Sequence, residues 1–128
     1  GKADGLDTEE VLMEGRDLER RVSLGRLMDF YGPLMTEHRR EMARLYCEED
    51  LSLQEIADTL TEAGKPVTRQ GVYDAIVKAE RQLNDYENKL GLIHRYDRMV
   101  EEAKRCLAYL EAGAAEAARD SLKKMTEL

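Results

Sequence analysis

Apolar side chains recur every three to four residues along most of the chain, the spacing that gathers them on one stripe of an α-helix. From Asp17 onward Val22, Leu24, Leu27, Met28 and Tyr31 share such a stripe. Gly32-Pro33 ends it, a C-terminal cap followed by a residue without a backbone N–H, so the first helix is expected over 17–31. Thr36 can cap a second helix through Met42, Leu45 and Tyr46, which stops at the acidic run Glu48-Glu49-Asp50, read as a solvated turn. Ser52-Leu53-Gln54-Glu55 has the form of a capping box, with hydroxyl and carboxylate each satisfying a backbone N–H at a helix start. A short helix through Ile56, Ala57 and Leu60 follows, then a break at Gly64 and Pro66, and Thr68 stands where the next cap is needed. Val72, Ile76, Ala79, Leu83, Tyr86 and Leu90 alternate spacings of four and three. That is a heptad seam on a helix about 34 Å long, with Gly91 as its end. The seam resumes with Ile93, Tyr96, Val100, Ala103, Leu107 and Leu110, Gly113 interrupts it, and a last segment carries Ala118, Leu122 and Met125.

The fold class read from these stripes and from the composition is all-α. Charged residues make up 37% of the chain against 5% aromatics, the composition of solvent-exposed amphipathic helices. Three segments are expected: an acidic tail over 1–15, a helix-turn-helix domain over 16–92, and a C-terminal helical extension over 93–128. The net charge of -7 is concentrated, because residues 1–15 sum to -4 and 45–67 to -5, residues 16–44 to +2, and the rest is neutral. Cys47 and Cys106 stand far apart outside any CxxC, which suits reduced thiols in a cytoplasmic protein. No apolar run approaches the roughly 20 residues that span a bilayer, so no membrane insertion is expected.

Catalytic chemistry has no visible set of residues. His38 and His94 are the two histidines, and neither has Cys, Asp or Glu four positions on, so no metal site is expected. Phosphate-cradling, nucleophile-elbow and zinc-helix motifs are absent, no cofactor is expected, and the chain reads as a non-enzyme. What remains is a geometry. Ala57 allows close approach of the short capped helix, and Val72 and Ile76 lock its crossing with the next, which makes a helix-turn-helix. The start of that second helix offers Arg69, Gln70, Tyr73 and Asp74, with Lys78 a turn further. Arg69 and Gln70 suit base edges, with Lys78, Arg39, Arg40 and Arg44 on phosphates, whereas the acidic motif beside an arginine-bearing helix suits a basic protein partner.

These residues lie among blocks that closely resemble one family. Asp29-Phe30-Tyr31-Gly32, Leu34-Met35-Thr36, Leu45 through Leu53, Thr68 through Ile76, and Tyr86 through Leu90 appear in the order and spacing of the YlxM proteins, over roughly residues 18–92. The resemblance implies a fold similar to region four of bacterial sigma factors. Members are commonly encoded beside the genes for the signal-recognition-particle GTPase or its receptor, which implies regulation in that targeting pathway through the particle's protein or RNA. One departure stands out. The turn Thr61 to Val67 is long, since Ala57 and Val72 lie fifteen positions apart, where the resemblance implies about ten, a short turn of the usual kind. Two readings follow, a modulator of the signal recognition particle and a sequence-specific duplex-DNA regulator. A DNA binder needs a net basic face, and the acidic stretch beside the motif opposes one. A homodimer joined through the heptad seam between Thr68 and Leu110, or through the last segment, is expected because those apolar faces need cover.

Overall fold

The computed structural model describes residues 8–128, which form helices α1 (Thr8–Tyr31), α2 (Glu37–Cys47), α3 (Leu53–Glu62), α4 (Arg69–Leu90), α5 (Leu92–Glu111) and α6 (Ala115–Met125). No strand occurs among the described residues, and the fold is all-α as the pattern predicts. Helix α1 begins nine positions before the expected Asp17, because residues such as Glu, Leu and Met favour helix even where no apolar stripe reveals it. The acidic tail expected over 1–15 is therefore helical from Thr8, and its first seven residues lie outside the described residues. The chain divides into two compact units, one ending at Tyr86 and one from Glu87 to Leu128, so the boundary falls inside α4.

In the first unit, Leu24, Leu27, Met28 and Tyr31 of α1 are buried together with Met42, Ala43, Leu45 and Tyr46 of α2. Ile56, Ala57 and Leu60 of α3 and Val72, Ile76, Ala79 and Leu83 of α4 complete this core. Each large side chain so buried contributes about 1.5–3 kcal/mol. Val22, expected on the α1 stripe, is instead exposed. The inward face continues toward the N-terminus as Asp17, Arg20 and Arg21, at the i−3 and i−4 positions that lie over it. Arg21 donates to Asp17 Oδ2 at 2.7 Å and to the carbonyls of Tyr46 and Leu51, the latter at 2.9 Å, and its guanidinium stacks 4.0 Å from the centre of the Tyr46 ring. Tyr46 in turn donates its hydroxyl to Asp17 Oδ1.

The caps read from the sequence are present. Thr36 accepts from the Arg39 N–H, and Ser52 and Glu55 form the reciprocal box. The long turn between α3 and α4 is closed upon itself. Gly64 sits at φ +84°, the Lys65 N–H bonds back to the Leu60 carbonyl at 2.8 Å, and Thr61 Oγ1 bridges the Val67 N–H and carbonyl at 3.3 and 3.4 Å. Thr68 Oγ1 accepts from the Gly71 N–H at 3.0 Å. A Cβ at position 71 would meet Val67 Cγ2 at 3.0 Å and Thr68 Oγ1 at 3.2 Å, so a larger residue there would push both side chains by a few tenths of an ångström.

The second unit is a hairpin of α5 and α6 preceded by the end of α4. Glu87 caps α5 by accepting from the Ile93 and His94 N–H groups, and Gly91 turns the chain at φ +63°. Gly113, at φ +75°, turns α5 into α6. The buried positions are Glu102 and Cys106 of α5 and Ala118 and Ser121 of α6, a small-residue face that lets the helices approach closely. Glu102 accepts from Arg105 at 2.6 Å through one oxygen, while its Oε1 has no hydrogen-bond partner among the described residues. The seam therefore behaves differently from the expectation. Its α4 half, down to Leu83, is consumed within the first unit, and on α5 the stripe of Tyr96, Leu107 and Leu110 faces outward.

The outward face of helix α4

Burial of Val72, Ile76, Ala79 and Leu83 fixes the orientation of α4 and sends the opposite side of the helix to solvent. That side carries Arg69, Gln70, Tyr73, Asp74, Lys78 and Arg81, all exposed. Tyr73, Asp74, Val77, Lys78 and Arg81 line a shallow cleft. Gln70 donates to Asp74 Oδ1 at 3.0 Å, one turn away, so these two hold each other in place. Arg69, Lys78 and Arg81 have no hydrogen bond or ion pair with the other described residues. Lys78 and Arg81 thus share the cleft with Tyr73, and Arg69 stands one turn before it, on a helix whose other side is locked in the core.

The ring is held from behind. Arg20 of α1 makes a two-pronged contact to Glu80 of α4, and its guanidinium lies 5.5 Å from the centre of the Tyr73 ring. Glu80 holds the Arg20 guanidinium well above its usual pKa, with burial opposing. On the next face of α4, Gln82 accepts from Arg39 at 2.8 Å and donates to the Tyr86 hydroxyl at 2.8 Å, and the Tyr86 ring lies 5.9 Å from that of Tyr31. These two polar clips fasten α4 to α1 and to α2.

The α2 arginines take three different positions. Arg39 is turned to Gln82, Arg44 pairs with Glu49 at 3.0 Å, and Arg40 is exposed without a pairing partner among the described residues. Arg40 and Arg44 line a cleft with Glu37, His38, Glu41 and Lys65, in which Lys65 pairs with Glu41 at 3.0 Å. The cleft is nearly balanced in charge and gathers Arg40 and Arg44 without Arg39. Helix α3 presents a single sign: opposite its buried Ile56, Ala57 and Leu60 stand Glu55, Asp58 and Glu62, all exposed. The Glu55 carboxyl is held below its usual range by the Ser52 N–H and hydroxyl.

Arg81, Val77, Arg20 and Glu80 were not singled out from the sequence. Arg81 is two turns beyond Tyr73 on the same face and could be found by extending the helical period past Lys78. The Arg20 to Glu80 contact spans sixty positions and carries no local signal. No group of His, Cys, Asp and Glu among the described residues could hold a metal ion. Cys47 and Cys106 are free thiols, and burial, aided by Glu48, pushes the Cys47 pKa up. No described helix is long and apolar enough to cross a membrane.

Known proteins resemble the chain over this whole arrangement. The UPF0122 family model, for helix-turn-helix proteins that are YlxM / p13 like, matches residues 18–122. The match thus includes α5 and most of α6, beyond the limit at 92 inferred from the motifs alone. A UPF0122 protein of Caldanaerobacter subterraneus is 43% identical over 84 residues, covering 63% of this chain and 68% of the relative. One from Symbiobacterium thermophilum is 37% identical over 107 residues, covering 81% and 94%, and one from Desulforamulus reducens is 39% identical over 108 residues, covering 79% and 88%. No solved structure matches.

Proposed function

Since the chain belongs to the YlxM / p13 like helix-turn-helix family, we propose that it is a non-enzymatic regulator of the signal recognition particle that docks α4 on the particle's GTPase. The observation that carries the choice of a protein partner is the sorting of charge within the motif. Arg69, Lys78 and Arg81 of α4 are free to meet carboxylates, while Glu55, Asp58 and Glu62 of α3 present negative charge that suits cations on a partner. A protein surface can offer both signs in register, which favours both specificity and encounter rate. A phosphate backbone offers one.

Duplex DNA is the second reading, favoured by the exposed start of α4. In a helix-turn-helix complex the first helix crosses the backbone while the second enters the major groove. Here that would bring the three α3 carboxylates toward phosphates, and the nearby Arg44 is already engaged with Glu49. Each phosphate contact adds to affinity through counterion release, and this motif supplies few. The same count applies to the particle's RNA.

Titrating the labelled full chain separately with purified particle GTPase, its RNA and a random duplex at physiological salt tests the reading. Saturable binding to the GTPase at micromolar concentration or tighter is expected, with the duplex weaker by about tenfold or more. Submicromolar duplex or RNA binding, with none to the GTPase, would overturn it.

A further inference from the structure

The α5–α6 hairpin hides a polar and small-residue face and exposes an apolar one. On α5, Leu92, Tyr96, Met99, Ala103, Leu107 and Leu110 follow one another at steps of four and three, within one narrow stripe. Leu107 is 57% exposed, Leu110 56% and Tyr96 51%. Leu122 of α6, 53% exposed, follows the buried Ala118 and Ser121 in the same rotational sense as the α5 stripe follows Glu102 and Cys106. In an antiparallel hairpin that places Leu122 on the same side as the stripe.

We infer that this face pairs with the same face of a second copy, the two α5 helices running antiparallel about a two-fold axis near Glu101. The spacing carries the direction. Read from either end, the stripe superposes on itself to within one residue: Leu92 falls opposite Leu110 of the other copy, Tyr96 opposite Leu107, and Met99 opposite Ala103. Tyr96 and Met99 thus face the shorter Leu107 and Ala103 across the axis while Leu92 meets Leu110, the self-complementarity that an isologous interface requires. A parallel pairing would set Tyr96 on Tyr96 and Ala103 on Ala103, crowding one level and leaving a gap at another.

Area supports a full interface. With about 200 Å² for a fully exposed large side chain, the fractional exposures of the stripe and Leu122 leave roughly 600 Å² of apolar surface per copy, at the upper limit for a patch on a monomer. Two such faces bury about 1,200 Å², the lower bound for a specific association. The hairpin pairs would form a four-helix bundle, and each dimer would carry two α4 faces. This pairing is independent of which partner α4 recognises.

Light scattering on the full chain reads the mass, and about twice the 14.7 kDa of one copy is expected at 10 µM or above. Leu107→Glu with Leu110→Glu should yield the monomer mass with unchanged helical circular dichroism, since both positions are exposed. Direction is read by oxidation. Tyr96→Cys with Leu107→Cys should cross-link as a dimer, whereas Tyr96→Cys alone should not, because those two sulfurs would lie about 16 Å apart along antiparallel helices. A monomeric wild type at 100 µM overturns the inference, as does an undiminished dimer of the Glu variant. Cross-linking through Tyr96→Cys alone would overturn the antiparallel register.

Discussion

Replacing Arg21 with Met would remove the guanidinium that joins α1 to the end of α2 and the turn into α3, while keeping the aliphatic stem packed. Arg21 is 12% exposed and reaches Asp17, the carbonyls of Tyr46 and Leu51, and, at 3.6 Å, Asp50. Charge-assisted hydrogen bonds contribute about 1.5–3 kcal/mol each, and losing their donor leaves the carbonyls short of partners. Part of this is regained, because Asp17 keeps the Tyr46 hydroxyl and water can reach the turn. The stacking on Tyr46 adds about 0.5–1 kcal/mol. A net loss of about 3 kcal/mol follows, a large fraction of the 5–15 kcal/mol that holds a typical domain. In a unit of this size it corresponds to a fall of roughly 12–24 °C in Tm. Urea unfolding followed by circular dichroism measures it, and Arg21→Lys should recover little, since one ammonium cannot reach three diverging acceptors. A loss below about 1 kcal/mol for Arg21→Met, with the m-value unchanged, would refute this accounting.

Three further outcomes can be measured. Burial disfavours the Asp17 carboxylate, but hydrogen bonds from Tyr46 and Arg21 and the charges of Arg21 and Arg20 outweigh it and lower the folded pKa. Its contribution should be complete above the unfolded value near pH 4 and fade as pH falls through the lower folded value, which Asp17→Asn should abolish in a comparison of acid unfolding. Burial, followed by the Asp17 hydrogen bond and charge, pushes Tyr46 up to about 12. Stability should therefore decline as pH rises from the unfolded value of about 10 toward 12, a slope that Tyr46→Phe removes. Thr61→Val should speed amide exchange at Val67 and cost about 1 kcal/mol by opening the α3–α4 turn, and an unchanged exchange rate would show that Thr61 does not hold it. Leu83→Glu places a carboxylate at a position with 0% exposure and should unfold the first unit, as near-ultraviolet dichroism would report, and a folded variant would contradict the packing described.

The parts of this fold legible in sequence are those with local causes. Thr36, Ser52 with Glu55, and Thr68 are readable as caps because each acts on an N–H group three positions away. Gly32, Gly91 and Gly113 marked helix ends for the same reason. Apolar periodicity puts Val22 on the buried stripe, but the structure turns the charged Arg21 inward instead, on carbonyls twenty-five and thirty positions away that no local pattern reveals. The heptad seam was real in spacing, but spacing does not tell intrachain from interchain cover. Leu83 went to the core of the first unit and Leu107 to the surface of the second. Glu102, charged and unremarkable in sequence, is buried where helical period alone would place Cys106 and its neighbours. At the candidate site the exposed start of α4 was legible, whereas the engagement of Arg39 and Arg44 by Gln82 and Glu49 required the tertiary structure.

The docking of α4 on the particle's GTPase is tested most directly by charge reversal at its free cations. Binding of purified GTPase to wild type and to Arg69→Glu, Lys78→Glu and Arg81→Glu would be followed by calorimetry at physiological salt, with Lys104→Glu on α5 as control. Each α4 reversal should weaken binding by about tenfold, the scale of a lost complementary contact replaced by a like-charge one, while the control retains wild-type affinity. Equal affinity across all four variants, or no binding by the wild type, would contradict the assignment of α4 as the docking face.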